Sequence, residues 1–333
     1  MLKFYKLMFF NTMMFGTLIA ISSYSWLSMW IGLEINLLSI IPLLKSKFNL
    51  FPSEAALKYF ITQALASSIL LLSIILMFNL KIWGTSTFMM ILNSALLTKL
   101  GAAPFHAWFP EVIEGLNWNN SMIMLIWQKI APMILLFYFN NLTLFFTIII
   151  IISSMVSGIL GLNQISLRKI LAYSSINHIS WMLSSMLNTQ LIWFFYFIVY
   201  SIITLNIALI FKKLNIFYLN QLSISLNWNK MVKYSFYLNF LSLGGLPPFL
   251  GFLPKWLVVN NLILNNFYLL SIILIILTLI TLFFYLRIMF SMMMINFNEP
   301  IIFTQKSLNY LVLIFNSFSI FGLLACTLIF NFI

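Results

Sequence analysis

TFMMILNSALLTKLGAAPFHAWFP, residues 87–110, puts Lys99 in the middle of an apolar segment and breaks that segment straight afterwards. Gly101, Ala102, Ala103 and Pro104 follow almost at once, and Pro104 has no N–H to continue a helix while its ring clashes with the preceding turn. A charge that far from either end of a membrane span costs from about 2.5 to more than 10 kcal/mol, so it is expected to face other helices or a wet cavity. Backbone freed by a helix break is tolerated at that depth in the same two surroundings. Two costly features so close together point to one polar path inside the bilayer. The path expected here carries protons.

The rest of the chain places this stretch in a membrane. Of its residues 63% are hydrophobic and 7% are charged, and the mean hydropathy is +1.07. Apolar runs of bilayer length recur along the sequence, more than a soluble core needs. Aspartate is absent, and the acids are Glu34, Glu54, Glu111, Glu114 and Glu299. The net charge of +12 comes from basic residues scattered between apolar runs. Nucleic-acid binders cluster their basic residues, so no nucleic-acid partner is expected. Cys326 is the single cysteine and excludes an iron–sulfur centre or zinc site built from this chain. No Gly-rich nucleotide loop and no haem-type His pair is present, so no cofactor is expected on the chain and any redox chemistry belongs to partner subunits. The first apolar run has no small-residue cleavage site and leads into further spans, which argues against a removable signal. The crowding of Ile, Phe, Asn, Met and Leu fits an AT-rich, organellar genome.

The fold expected is an all-α polytopic membrane protein of about eleven transmembrane helices. They fall near 5–22, 24–44, 55–79, 86–108, 121–140, 143–162, 168–187, 191–211, 233–264 (broken), 268–290 and 308–331. One transmembrane domain over 1–333 is expected, with repeat one about 5–140, repeat two about 143–290 and a final helix about 308–331. Lys3, Lys6, Lys45, Lys47, Lys58, Arg168, Lys169, Lys212, Lys213, Lys230, Lys233, Arg287 and Lys306 fall on one side and Lys81 on the other. The positive-inside rule then puts the N-terminus in the compartment of synthesis and the C-terminus opposite. The fourth span breaks at Ala103-Pro104-Phe105 and the ninth at Gly244-Gly245-Leu246-Pro247-Pro248-Phe249, with Lys255 just beyond. Five helices separate the two breaks, so the broken helices cross in opposite directions, as in transporters built from inverted repeats.

Lys99, Lys129 and Lys255 belong to neither surface. Lys129 is followed by Ala131 and Pro132, and the plain alternative for each of the three is pairing with carbonyls freed at a helix irregularity. Glu34 is centred in the second span. A neutral carboxyl held by a local hydrogen bond is its bland alternative to a charge pair, for which Lys99 is the expected partner and Lys58 the second choice. Lys58 lies one turn into its span and is placed to snorkel to the surface. His178 shares a helix face with Ser174 and Ser185, and Asn177 adjoins it. A hydrogen-bonded core histidine is the plain reading; a water chain along hydroxyls and an imidazole that titrates near neutrality is the functional one. Glu54 reads as an acid at a helix N-terminus, and Glu111 and Glu114 as loop or subunit-contact charges. His106 is a weaker path candidate. Ser153, Ser154, Ser157, Gly158 and Gly161 read as a close-packing face.

Desolvation favours the neutral form of an ammonium, so a buried lysine can both hold and release a proton. At an effective dielectric of 20 and roughly 7 Å, one neighbouring charge contributes about 2.4 kcal/mol. Moving a proton against roughly 150 mV costs about 3.5 kcal/mol. One neighbour is therefore too few, and two acting together suffice. Glu34, Lys99, Lys129, His178 and Lys255 offer that number.

Four stretches, WIGLEINLLSIIPLL (30–44), EAALKYFITQALAS (54–67), NSALLTKLGAAPFHAWFPEV (93–112) and LGGLPPFLGFLPKW (243–256), resemble the antiporter-like membrane subunits of respiratory complex I, NADH:ubiquinone oxidoreductase. Among these the chain is most similar to the mitochondrial subunit 2 family, and the resemblance spans nearly all of it. The resemblance implies Glu34 as the paired glutamate, Lys99 and Lys255 as the broken-helix lysines and Lys129 as the lysine of the next helix. His178 stands where some relatives have lysine. Bacterial members carry three more N-terminal helices, so the shorter animal form is expected, and without a lateral helix after Ile333 not the distal subunit. The resemblance also implies the mitochondrial inner membrane, the matrix on the lysine-rich side, and neighbouring membrane-arm and accessory subunits with phospholipids, cardiolipin among them, as partners. The function expected is proton translocation from matrix to intermembrane space, coupled to quinone reduction elsewhere in the complex. A stand-alone cation/proton antiporter and a non-conducting spacer of the membrane arm are the alternatives.

Overall fold

The computed structural model of the chain describes residues 4–45, 49–79, 85–140, 142–225, 230–247 and 249–293, with Ser317 and Gly322 beyond them. Everything described is helical or connecting chain apart from one isolated antiparallel bridge, Ser166–Tyr218. The chain divides into two compact units, Met1–Ile149 and Ile150–Ile333.

In the first unit α1 (Phe4–Ser22) and α2 (Trp26–Leu44) are joined by a turn that Ser25 closes as the N-cap of α2, its side chain accepting from the Ser28 N–H at 3.3 Å. That cap explains why α2 starts later than apolarity alone suggests. The two helices cross at small residues: a methyl on Gly32 would lie 2.6 Å from the Ala20 nitrogen. α3 (Phe51–Asn79) begins a turn earlier than expected, with Pro52 in its first turn, where a missing N–H is harmless. α4 (Thr85–Leu100) stops at the break, and α5 (Trp108–Gly115) resumes beyond it. Glu111 and Glu114 therefore sit on a half-helix and not in a loop. α6 (Trp118–Met122), a π-turn (Ile123–Trp127) and α7 (Gln128–Tyr138) form the next span. Met13, Ile40, Leu43, Leu44, Tyr59 and Val112 are among the residues of a buried core that draws on α1, α2, α3 and α5.

α8 (Thr143–Leu162) runs across the division at Ile149. α9 (Leu167–Met186), α10 (Gln190–Leu214), α11 (Leu219–Ser225), α12 (Lys230–Gly244), α13 (Phe252–Leu264) and α14 (Tyr268–Met293) complete the second unit. Ser153, Ser154 and Ser157 are fully buried, and a methyl on Gly161 would come within 3.0 Å of the Phe284 ring. The small-residue face of α8 is a packing face against α14. α9 is buried almost throughout although it carries Arg168, Lys169, five serines, Asn177 and His178. Polar content this high inside a helical unit is what a polar path requires.

Ten of the eleven expected spans fall on described helices, and the eleventh, about 308–331, lies outside the described residues apart from Ser317 and Gly322. Among the described residues seven helices are long and apolar enough to cross a membrane. The others are the half-helices at the two breaks and α9, whose buried polar groups lower its hydropathy.

Candidate functional site

Both breaks end their helix in the same way. At the first, Gly101 takes φ +75°; its N–H bonds the Thr98 carbonyl at 3.2 Å and the Ala102 N–H reaches the Leu97 carbonyl at 3.2 Å. At the second, Gly245 takes φ +78°; its N–H bonds the Ser242 carbonyl at 3.1 Å and the Leu246 N–H reaches the Leu241 carbonyl at 3.3 Å. This is a Schellman ending, which needs a left-handed residue that glycine adopts without strain.

The two endings differ in what covers the remaining carbonyls. In the first unit neutral donors do so: the Trp108 indole N–H gives to Thr98 at 3.0 Å and Gln63 Nε2 to Lys99 at 3.4 Å. The Lys99 side chain is left over and turns into a cavity lined by Asn36, Tyr59, Gln63, Gln128 and apolar side chains. Lys99 is 7% exposed. The ion pairs among the described residues are Lys58–Glu54 at 3.2 Å and Lys58–Glu111 at 3.0 Å. Glu34 is thus no contact partner of Lys99. Lys58, the second choice for Glu34, belongs to a half-exposed triad, and Glu54 adds an ion pair to its place in the first turn of α3. Exposed pairs contribute little, so Lys58→Ala should leave the amount of folded protein near the parental level, as quantitative immunoblotting would show.

Lys129 is 1% exposed and is the second residue after the π-turn. Pro132 has no N–H for the Gln128 carbonyl, and the Gln128 N–H bonds Ile123, five residues back. Such bulges commonly mark functional sites. The Lys129 Nζ lies 5.7 Å from the Phe109 ring centroid, within cation–π range.

In the second unit the remaining carbonyls are covered by a cation. Lys255, 8% exposed, reaches back from α13 and donates to the carbonyls of Gly244 at 2.7 Å and Leu243 at 3.3 Å. Its Nζ also lies 5.8 Å from the Trp181 ring on α9. One turn before Trp181, His178 shares a 2.9 Å hydrogen bond between Nδ1 and the Tyr196 hydroxyl. Ser174 and Ser185 donate to the Leu171 and Met182 carbonyls, at 2.8 and 2.6 Å. Asn177 donates to Thr281 Oγ1 at 3.0 Å. The hydroxyl protons on this face are committed to backbone, while the oxygens remain able to accept.

A family model described as NADH:quinone oxidoreductase/Mrp antiporter, TM, matches residues 23–281. A chain from Anopheles gambiae named NADH-ubiquinone oxidoreductase chain 2 is 49% identical over 332 residues, covering 97% of each sequence. One of the same name from Aedes aegypti is 51% identical over 331 residues, again covering 97% of each. This chain belongs to the NADH-ubiquinone oxidoreductase chain 2 family. The fold agrees: a chain of respiratory complex I from Thermus thermophilus matches with a TM-score of 0.80 at 23% identity, over 90% of this chain and 73% of that one. A chain of the archaeal membrane-bound sulfane sulfur reductase matches with a TM-score of 0.82 at 14% identity, over 97% of this chain and 73% of that one.

Within this chain 2 family member the two broken-helix lysines are not equivalent. Matching Gly101 to Gly245 pairs Phe105 with Phe249, Pro110 with Pro254 and Glu111 with Lys255, and sets Leu243 where Lys99 stands. Lys99 precedes its break, and Lys255 follows its own and plugs it. Glu34, Lys99 and Lys129 lie in the first unit, His178 and Lys255 in the second. Asn36, Tyr59, Gln63 and Gln128 escaped the sequence reading, because neutral polar side chains on separate helices leave no local pattern. Pro132 was the visible signal for the π-turn. Gly101→Ala should cost about 1–2 kcal/mol from left-handed strain. It would also press on Phe109, whose Cβ would lie 3.1 Å from the new methyl, and thermal denaturation of the complex should register both.

Proposed function

We propose that this chain is a proton-translocating core subunit of the membrane arm of respiratory complex I. Protons move from the matrix to the intermembrane space by way of Glu34, Lys99, Lys129, His178 and Lys255, driven by quinone reduction elsewhere in the complex. One observation carries the reading: Lys99, Lys129 and Lys255 are 7%, 1% and 8% exposed, and each stands at a helix irregularity inside an apolar span. Groups this costly to bury face a polar path and not lipid. Homologues at this level of identity over most of the chain are named as subunits of NADH-ubiquinone oxidoreductase, which supports the mitochondrial inner membrane and membrane-arm partners. The lysine-rich side, and with it the N-terminus, is the matrix side by the positive-inside rule. Phospholipids, cardiolipin among them, cover the outer faces.

Assembled complex carrying Lys129→Met tests the proposal in sealed vesicles. NADH oxidation by an artificial acceptor should stay parental, while proton uptake falls by about 10²-fold or more, the contribution of an essential proton-transfer group. Parental proton uptake would instead make the chain a spacer.

A further inference from the structure

We infer that His178 gains and gives up its proton at Nδ1, through the hydroxyl of Tyr196, and keeps a hydrogen on Nε2 in both charge states. Nδ1 and the Tyr196 oxygen lie 2.9 Å apart, in a bond that joins α9 to α10. Both residues are buried.

The direction of this bond decides the tautomer. A phenol has one hydrogen to give, and a buried phenol is expected to have an acceptor for it. Among the described residues His178 Nδ1 is the hydrogen-bond partner of that hydroxyl. The hydrogen therefore goes to Nδ1, which must offer a lone pair. In a neutral imidazole one nitrogen accepts and the other carries the hydrogen, so Nε2 carries it. The surroundings favour exchange on the α10 side. The ring centroid of Tyr196 lies 6.0 Å from that of His178, and the ring of Tyr200, one turn further along α10, lies at 5.0 Å. Tyr285 on α14 is a third buried phenol, close enough to Tyr196 to interact electrostatically with it. Lys255 approaches α9 one turn beyond His178, at the Trp181 ring.

The consequence rests on the relay role proposed for His178 and deepens it. With Nε2 already protonated, the neutral ring can be charged at Nδ1 alone. Charging breaks the Tyr196 O–H bond as the Nδ1–H bond forms, and the oxygen takes a replacement proton from a water or phenol on its other side. Discharge is the same exchange reversed: Nδ1 returns its proton to the oxygen as the hydroxyl gives up the hydrogen it had gained. The Nε2–H bond breaks in neither step, so the site resets without turning the ring.

The test pairs a spectrum with vesicle assays on the assembled complex. A histidine-selective ¹⁵N spectrum, differenced against His178→Gln, should show neutral His178 as the Nε2–H tautomer, and Tyr196→Phe should turn that signal into a mixture of tautomers. Tyr196→Phe keeps the ring and its packing, so native gels should show parental assembly, while proton uptake should fall by about 10²-fold, as for a positioned proton-transfer group. His178→Gln should fall as far, and the double variant no further, because two groups in one exchange fail as a unit. A role in packing alone would leave the tautomer unchanged. An Nδ1–H signal in the parent, parental uptake with Tyr196→Phe beside a slow His178→Gln, or single effects that multiply in the double variant would overturn the inference. Parental uptake with His178→Gln would instead remove His178 from the relay, and the spectrum would still decide which way the Tyr196 hydrogen points.

Discussion

Assembled complex with Lys99→Met should lose proton pumping and keep its stability. Methionine has the same unbranched reach as the lysine stem, so the wall it forms beside Leu33, Leu37 and Pro132 is preserved. Removing a buried charge without a contact ion partner is neutral or stabilising, because its desolvation cost disappears. Under the proposed relay, pumping should fall by about 10²-fold or more, the contribution of an essential proton-transfer group. Lys99→Arg is the decisive companion. Guanidinium keeps the positive charge but stays protonated, so arginine should pump no better than methionine if titration is what matters. Recovery with arginine would show that Lys99 acts as a fixed charge. Proton uptake of inside-out vesicles, normalised to NADH oxidised, separates these outcomes, and native gel electrophoresis checks assembly.

The second large effect is structural and lies in the other break. Gly251 begins α13 against the end of α12, and a methyl there would fall 1.7 Å from the Ser242 carbonyl oxygen. Backbone atoms cannot step aside as a flexible side chain can. Ser242 also accepts the Gly245 N–H of the Schellman ending, so any movement of its carbonyl opens the turn on which Lys255 rests. Gly251→Ala should therefore cost about 3 kcal/mol or more and reduce the amount of assembled complex. Gly244→Ala is the control. Its methyl would meet Leu282 at 3.6 Å, an ordinary contact, and the residue ends a helix where alanine is favoured. Comparable assembly of the two variants would contradict this account of the second break.

The three central lysines were legible because a charge inside an apolar run has no local explanation, and the breaks because Gly and Pro interrupt helical periodicity. Glu34 was legible for the same reason, but its partner was not. Choosing Lys99 over Lys58 takes knowledge of which helices touch, and the structure gives Lys58 to Glu54 and Glu111, while among the described residues Lys99 has no ion-pair partner at contact distance. His178 stood out as an imidazole in mid-span, and its hydrogen bond to Tyr196 on the next helix could not be foreseen. Of the two readings of Glu111 and Glu114, loop or subunit-contact charges, the loop fails because the break hides the half-helix after it.

By itself the sequence determined that this chain spans a membrane many times, where two of its helices break, and which ionisable groups pay the cost of depth. Those properties depend on each residue and its near neighbours, so they survive in a one-dimensional reading. Tertiary structure alone decided that Asn36, Tyr59, Gln63 and Gln128 meet around one lysine, and that Lys255 closes its own break while Trp108 and Gln63 close the one beside Lys99. Such meetings depend on how helices distant in sequence rotate and pack, and neutral polar side chains announce nothing until they converge.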